Sequence, residues 1–216
     1  GEAAMTFADA ERYRKAYFSA IERLERESDG TISGSPGISV KLTALYPKYD
    51  IFHADSAVSA LLPILTDLAR EIAHNRDVAV VIEDHVRLAQ RHGLDGVHLT
   101  DGARGVRAAR KDLGADAIVG AFCGTSRHEG MNAAEAGADY VSFGPVGDTA
   151  LGRGGPAPLD LFQWWSEMIE VPVVAEGAID RALIADLSPV TDFIGIGAEI
   201  WSENDPLTAL SALWPP

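Results

Sequence analysis

The sequence predicts an α/β protein: a (βα)8 TIM-type barrel of parallel strands whose first strand is short or missing. Three observations carry this. Apolar, β-branched runs recur along the chain, continuous rather than alternating, as in strands covered on both faces. Amphipathic stretches separate them at about 20 residues per strand–helix unit, which implies right-handed βαβ crossovers and a parallel sheet. The 216 residues suit a single barrel domain over 1–216, and no Gly-rich dinucleotide fingerprint follows an early strand.

Residues 6–30 read as a long helix, because Ala10, Tyr13, Tyr17, Ala20, Ile21 and Leu24 fall on one face. Thr6 with Asp9 is a capping-box signal. The strands that follow are GISVKL (37–42), VAVVIED (78–84), GVHL (96–99), AIVGAF (117–122), YVSFG (140–144), VPVVAEG (171–177) and FIGIG (193–197). Helical patterns lie between them over 60–74, 102–113 and 160–169. The strand count stops at seven. Only GEAAM precedes the first helix, so it is either a stub of strand one or the barrel is incomplete or completed by a partner chain. A missing first strand would leave exposed edges that invite a homo-oligomer.

Composition narrows the function. The net charge of −14 argues against nucleic acid, which needs a basic face, but not against a small phosphorylated ligand held by backbone N–H groups. One cysteine, Cys123, cannot form an intrachain disulfide, which fits a reducing cytoplasm. No apolar run approaches a membrane span and the N-terminus lacks a signal-peptide core, so a soluble cytoplasmic protein is expected.

In such barrels reactive groups lie at the carboxyl ends of the strands. Reading those ends yields Lys41, then Glu83, Asp84 and His85, then His98 and Asp101. Glu83, Asp84 and Asp101 could share Mg²⁺ with a substrate phosphate; equally, they could cap helices or be solvated loop acids. Lys41 and His85 are the candidate catalytic groups, His85 as a base or as a packed strand-end histidine. Glycines end the last two strands, in VAEGAI and GIGAEI. Gly177, Gly195 and Gly197 could expose backbone N–H groups to phosphate, or simply form tight turns. Thr149 and Arg153 sit in a long Gly- and Pro-rich loop suited to binding, with Arg153 either a mobile cation or an exposed loop residue. Trp164, Trp165 and Met168 read as helix-to-barrel packing and Trp201 as core or interface. Cys123 reads as a small buried hydrophobe rather than a nucleophile.

Two resemblances add to these readings. From about Ala69 onward, DVAVVIEDHVRLAQRHGLDGVHL, IVGAFCGTSRH, EAGADYVSFGPVGDT, VPVVAEGAI and FIGIGAEIW resemble the thiamine phosphate synthase family, in order and over about two-thirds of the chain. The resemblance implies a (βα)8 barrel that joins a pyrimidine pyrophosphate to a thiazole phosphate, releasing pyrophosphate with Mg²⁺. It implies that Asp84 helps hold Mg²⁺, that Pro145 to Thr149 form a phosphate loop, and that Gly177 and Gly197 bind phosphate. The N-terminal GEAAMTFADAERYRKAYFSAIE and SPGISVKLTALYPKY instead resemble the proline dehydrogenase barrel of the bifunctional proline utilization flavoenzyme, where the lysine matching Lys41 lies close to the flavin. That family's later flavin- and proline-binding motifs are not found. The two resemblances together imply a chimera, residues 1–52 from one barrel and 75–216 from the other, joined around 52–74; the alternative is a natural, strongly divergent relative.

The chain departs from the synthase pattern in places that matter. SVKLTALYPK stands where a Gln-Leu-Arg-x-Lys motif grips pyrophosphate, with Lys41 or Lys48 as partial substitutes. A second Mg²⁺-binding aspartate maps near Ala103, and a threonine and a lysine of the phosphate loop map to Leu151 and Gly152. One lost electrostatic donor is worth roughly 3 kcal/mol of transition-state stabilisation, so impaired synthase activity is expected. The alternatives are a non-enzymatic barrel that retains a phosphate pocket and, less favoured, a flavin-binding fragment.

Overall fold

The computed structural model describes residues 4–24, 38–47, 60–61, 64, 79–148, 155–203 and 205–213. The chain divides into two compact units, Gly1–Val97 and His98–Pro216.

In the first unit, α1 (Phe7–Leu24) opens on the expected capping box. Thr6 N–H donates to Asp9 Oδ2 at 2.8 Å and Asp9 N–H donates to Thr6 Oγ1 at 3.1 Å, so two orphan donors of the first turn are satisfied reciprocally. These hydrogen bonds from Thr6 also hold the Asp9 carboxyl below its ordinary pKa. Ala10, Tyr13, Tyr17 and Ala20 are buried along one face, as the spacing requires. Strand β1 (Ile38–Val40) pairs in parallel with β2 (Val80–Glu83), Ile38 opposite Val80 and Val40 opposite Ile82. The expected strand through residue 42 is shorter than its sequence suggests. The chain turns at Lys41 into the short helix α2 (Leu42–Leu45), which buries Leu42, Ala44 and Leu45. Ala4, the last residue of GEAA, is buried and donates its N–H to the Thr43 carbonyl at 2.9 Å. Helix α3 (Val86–His92) follows β2 and ends on Gly93 at φ 62, the left-handed cap that glycine adopts without a Cβ penalty. The helical pattern over 60–74 falls mostly outside the described residues.

The unit boundary falls within β3 (Gly96–Leu99). In the second unit α4 (Val106–Leu113), β4 (Ile118–Phe122), α5 (Arg127–Glu135), β5 (Tyr140–Phe143), α6 (Leu159–Met168), β6 (Val173–Glu176), α7 (Arg181–Leu187), β7 (Phe193–Gly195), α8 (Ala198–Trp201) and α9 (Pro206–Leu213) alternate without exception until the last helix. Strands β4 to β7 run parallel in chain order, with Gly120 opposite Tyr140, Val141 opposite Val173 and Val174 opposite Phe193. Val119, Ala121, Val141, Phe143, Val173 and Ala175 are fully buried, which explains why these strands read as continuous apolar runs.

A repeated device aligns the strand starts. Asp139 precedes β5; its N–H donates to the Val119 carbonyl at 2.8 Å while Oδ2 accepts the Val119 N–H at 2.6 Å. Asp192 does the same to Val173, and in the first unit Asp95 does it to Val80. Each aspartate thereby satisfies an N–H at the start of the preceding strand, of its first residue in β2 and β6 and its second in β4, with a charge-assisted bond. These clamps lie at the amino ends of the strands, the end that serves stability rather than catalysis in folds of this kind.

The tryptophans divide. Trp165 is fully buried against Phe143, ring centroids 5.0 Å apart, and donates its indole N–H to the Val171 carbonyl at 2.8 Å. Gly130 makes the space, since a Cβ there would lie 2.6 Å from the Trp165 ring. Trp201 is buried as well. Trp164 and Met168 correct the packing expectation. Trp164 is only half-buried and lies under the Arg127 guanidinium at 5.0 Å, and Met168 is 63% exposed at the helix end.

Candidate functional site

The carboxyl ends of β5, β6 and β7 carry the most constructed part of the second unit. After β5 the chain runs Gly144, Pro145, Val146, Gly147 and lies directly on the turn after β6. Val146 N–H donates to the Glu176 and Gly177 carbonyls, both at 3.1 Å, and Gly147 N–H donates to Gly177 at 3.1 Å. Ala157 N–H reaches back to the Pro145 carbonyl at 2.7 Å, which ties down the far side of the loop. Such contact demands glycine. A Cβ at Gly144 would sit 2.2 Å from the Glu176 carbonyl oxygen, and one at Gly147 would sit 2.2 Å from the Ala178 carbonyl oxygen. Gly177 itself is at φ +90 and packs on Pro145.

Beyond Gly177 the backbone stays unusual, with Ala178 at φ 55. The next N–H, of Ile179, donates to Glu199 Oε1 at 2.7 Å, and Gly197 N–H donates to Glu199 Oε2 at 2.6 Å. Two glycine-containing turns, after β6 and after β7, therefore aim backbone donors at one carboxylate. Their chemistry is that of an anion cradle.

Below the turns lie two polar contacts. Ser142 Oγ donates to Glu176 Oε1 at 2.8 Å, and His98 Nδ1 lies 2.8 Å from the Tyr140 hydroxyl, the rings stacked 5.6 Å apart. Ser142 and His98 are buried. Glycine again supplies the room: Cβ atoms would meet Tyr140 at 2.0 Å from Gly120 and Glu176 Cβ at 2.9 Å from Gly195. Burial, reinforced by the carboxylates of Glu176 and Asp139, holds the Tyr140 phenol neutral well beyond its usual range. Cys123 is buried with its S–H directed at the Ala121 carbonyl, and burial, with Glu129 nearby, pushes its thiol up to about 12. A thiol held neutral is not a nucleophile, in keeping with the sequence reading.

The remaining candidates are placed as follows. In the first unit Glu83 ends β2, Asp84 follows at φ 55, and His85 opens α3 without a side-chain cap, its carbonyl accepting Leu88 and Ala89 N–H groups. Lys41 follows β1; its N–H donates to the Tyr17 hydroxyl at 3.2 Å. In the second unit Asp101 is exposed and paired with Arg104 at 2.7 Å, as a solvated loop acid would be. Glu199 joins Ile179, two residues after Gly177, to Gly197, whereas Gly195 serves the packing of Glu176. Thr149 and Arg153, like Lys48, lie outside the described residues. Among the described residues no group of three or more His, Cys, Asp or Glu side chains could hold a metal ion, and no helix is long and apolar enough to cross a membrane. Glu199, Tyr140 and Ser142 escape a search of strand-end motifs. Only Glu199 carries a local signal, an acid two residues after a strand-end glycine.

Strand order and the alternation of strands with helices define the class: a parallel α/β protein. Comparison with known proteins gives the family. The model of thiamine monophosphate synthase matches residues 56–198, and the chain belongs to that family. It is 39% identical over 145 residues to the thiamine-phosphate synthase of Erythrobacter litoralis, covering 65% of this chain and 68% of that protein. With the thiamine-phosphate synthase of Rhodospirillum centenum the identity is 40% over 138 residues, 63% of this chain and 67% of the relative. The solved structure of thiamine phosphate pyrophosphorylase from Pyrococcus furiosus shares the fold, with a TM-score of 0.63 over 89% of this chain and 86% of that one at 22% identity.

Proposed function

We propose that this chain is a thiamine phosphate synthase of reduced turnover, joining a pyrimidine pyrophosphate to a thiazole phosphate within an eight-stranded barrel. The observation that carries the reading is the docking of the Gly144–Gly147 loop on the Gly177 turn, beside the Gly197 turn, in a member of this family. In this reading Gly177, Gly195 and Gly197 form the phosphate-binding turns, with Thr149 and Arg153 contributing from the Gly- and Pro-rich stretch that precedes them in the chain. Lys41 takes the place of the cations that would grip pyrophosphate, and His85 serves as a base.

Mg²⁺ is commonly held by one or two carboxylates together with substrate phosphates, and adjacent Glu83 and Asp84 at a strand end suit that mode. The metal would neutralise charge on the leaving pyrophosphate. Asp101 is engaged by Arg104. Turnover is low in this reading because the pyrophosphate-gripping motif, a second aspartate and two loop residues are replaced, each loss removing transition-state stabilisation.

A mixed origin accounts for the replacement. In this reading residues 1–52, which precede the family match at residue 56, derive from a proline-dehydrogenase-like barrel. The single free, buried cysteine is consistent with a cytoplasmic setting. The test is direct: incubate the protein at high concentration with both substrates and Mg²⁺, and measure thiamine phosphate. Slow, EDTA-sensitive formation is expected. No product above an enzyme-free blank would sink the enzymatic reading and leave a barrel that only binds.

A further inference from the structure

Glu199 does something that the phosphate reading alone does not require. Its carboxylate joins two turns that are far apart in sequence, accepting the Ile179 N–H after β6 and the Gly197 N–H after β7. Both bonds are short and charge-assisted, so the contact is strong by the standard of side-chain to backbone bonds. Neither donor is aimed by accident. The Ile179 N–H follows two successive residues at positive φ, Gly177 and Ala178, a conformation that costs a non-glycine residue free energy. Among the described residues no cation pairs with Glu199, so its negative charge is compensated there by backbone donors alone, as a bound anion's would be.

We propose that Glu199 is a built-in stand-in for the ligand's phosphate: an autoinhibitory contact that keeps the two turns in anion-ready geometry and withdraws when the anion binds. The proposal rests on the reading of the Gly177 and Gly197 turns as phosphate-binding. Two consequences follow. An empty site never leaves these N–H groups unpaired, which would be costly for donors half-removed from water. Ligand affinity is set by a difference, the free energy of the phosphate's own hydrogen bonds less that of the carboxylate bonds it displaces. The site therefore discriminates against weak monoanions that cannot outcompete a tethered carboxylate.

The experiment titrates inorganic phosphate into the wild-type chain, Glu199→Gln and Glu199→Ala by calorimetry, at constant ionic strength set with chloride. Glutamine keeps the length but offers one acceptor oxygen in place of two and carries no charge; alanine removes the contact. Both variants are expected to bind phosphate about tenfold or more tightly than wild type, while melting lower without ligand because the tie between the turns is gone. A purely structural tie predicts the opposite, since loosened turns bind anions less well. If wild type binds phosphate and both variants bind equally or more weakly, the stand-in role is overturned and the phosphate-binding turns survive. If none of the three binds phosphate at tens of millimolar while circular dichroism shows them folded, the phosphate reading itself falls and the stand-in role falls with it. Should the alanine variant fail to fold, the near-isosteric glutamine variant decides alone.

Discussion

Replacing Gly144 by alanine puts the docking of the loop after β5 to a quantitative test. The new Cβ would lie 2.2 Å from the Glu176 carbonyl oxygen, 3.1 Å from its carbon and 3.3 Å from Glu176 Cγ. Ordinary contact begins near 3.4 Å, so the oxygen must retreat by about 1.2 Å. The obstacle is strand backbone rather than the free end of a side chain, and it cannot rotate away. Moving it breaks the Val146 N–H bond to Glu176 and disturbs the neighbouring Gly147 N–H bond to Gly177. Two backbone bonds at about 1 kcal/mol each, with an overpacking cost of about 1–3 kcal/mol, give a loss of about 3–5 kcal/mol. Urea unfolding followed by tryptophan fluorescence measures it, as a fall in midpoint at unchanged slope. Gly155→Ala is the matched control: nothing lies within 4 Å of a Cβ there and its φ is unexceptional, so its midpoint stays in place. Equal midpoints for Gly144→Ala and Gly155→Ala would show that the loop does not sit on the β6 turn as described.

Three further outcomes are expected. Asp192→Ala removes the acceptor of the Val173 N–H and leaves a strand-start donor unpaired; unfolding experiments should show a loss of about 1–3 kcal/mol, with phosphate affinity unmoved because the clamp lies at the opposite end of the strand. On the alkaline side, stability should fall as pH rises above about 9. Cys123, raised from 9.0 to about 12, and Tyr140, also raised, keep their protons in the folded chain while the unfolded chain gives them up. Each contributes a slope approaching about 1.4 kcal/mol per pH unit, and Cys123→Ala should flatten the fall in a pH series of urea midpoints. Asp84→Asn keeps a residue that tolerates the left-handed backbone at φ 55 but removes the charge. If Asp84 holds Mg²⁺, product formation at fixed Mg²⁺ should drop about 10- to 100-fold and recover in part at higher Mg²⁺; an unchanged rate would remove Asp84 from the site.

Much of the architecture was legible because it is local. The continuous runs around Val80, Ile118, Val141 and Val173 could only be buried strands, and Thr6 with Asp9 announced the start of α1 three residues apart. The strand ends were less legible. Nothing in GISVKL marks the break after Val40 that turns Leu42–Leu45 into helix, because that choice follows the burial of Leu42 and Leu45. Met168 shares the apolar character of its helix and still ends exposed, as the last residue of that helix.

The alternation of parallel strands and helices, the family, and the glycines at the ends of the last strands all follow from the order of residues, because periodicity and turn chemistry are properties of a few consecutive positions. What those glycines do follows only from the folded chain. Gly144 and Gly147 yield to the β6 turn, Gly195 yields to Glu176, and the donors of Ile179 and Gly197 converge on Glu199. The reason is spatial. Ile179 and Glu199 stand 20 residues apart, and only the parallel pairing of β6 with β7 brings the two turns within reach of one carboxylate.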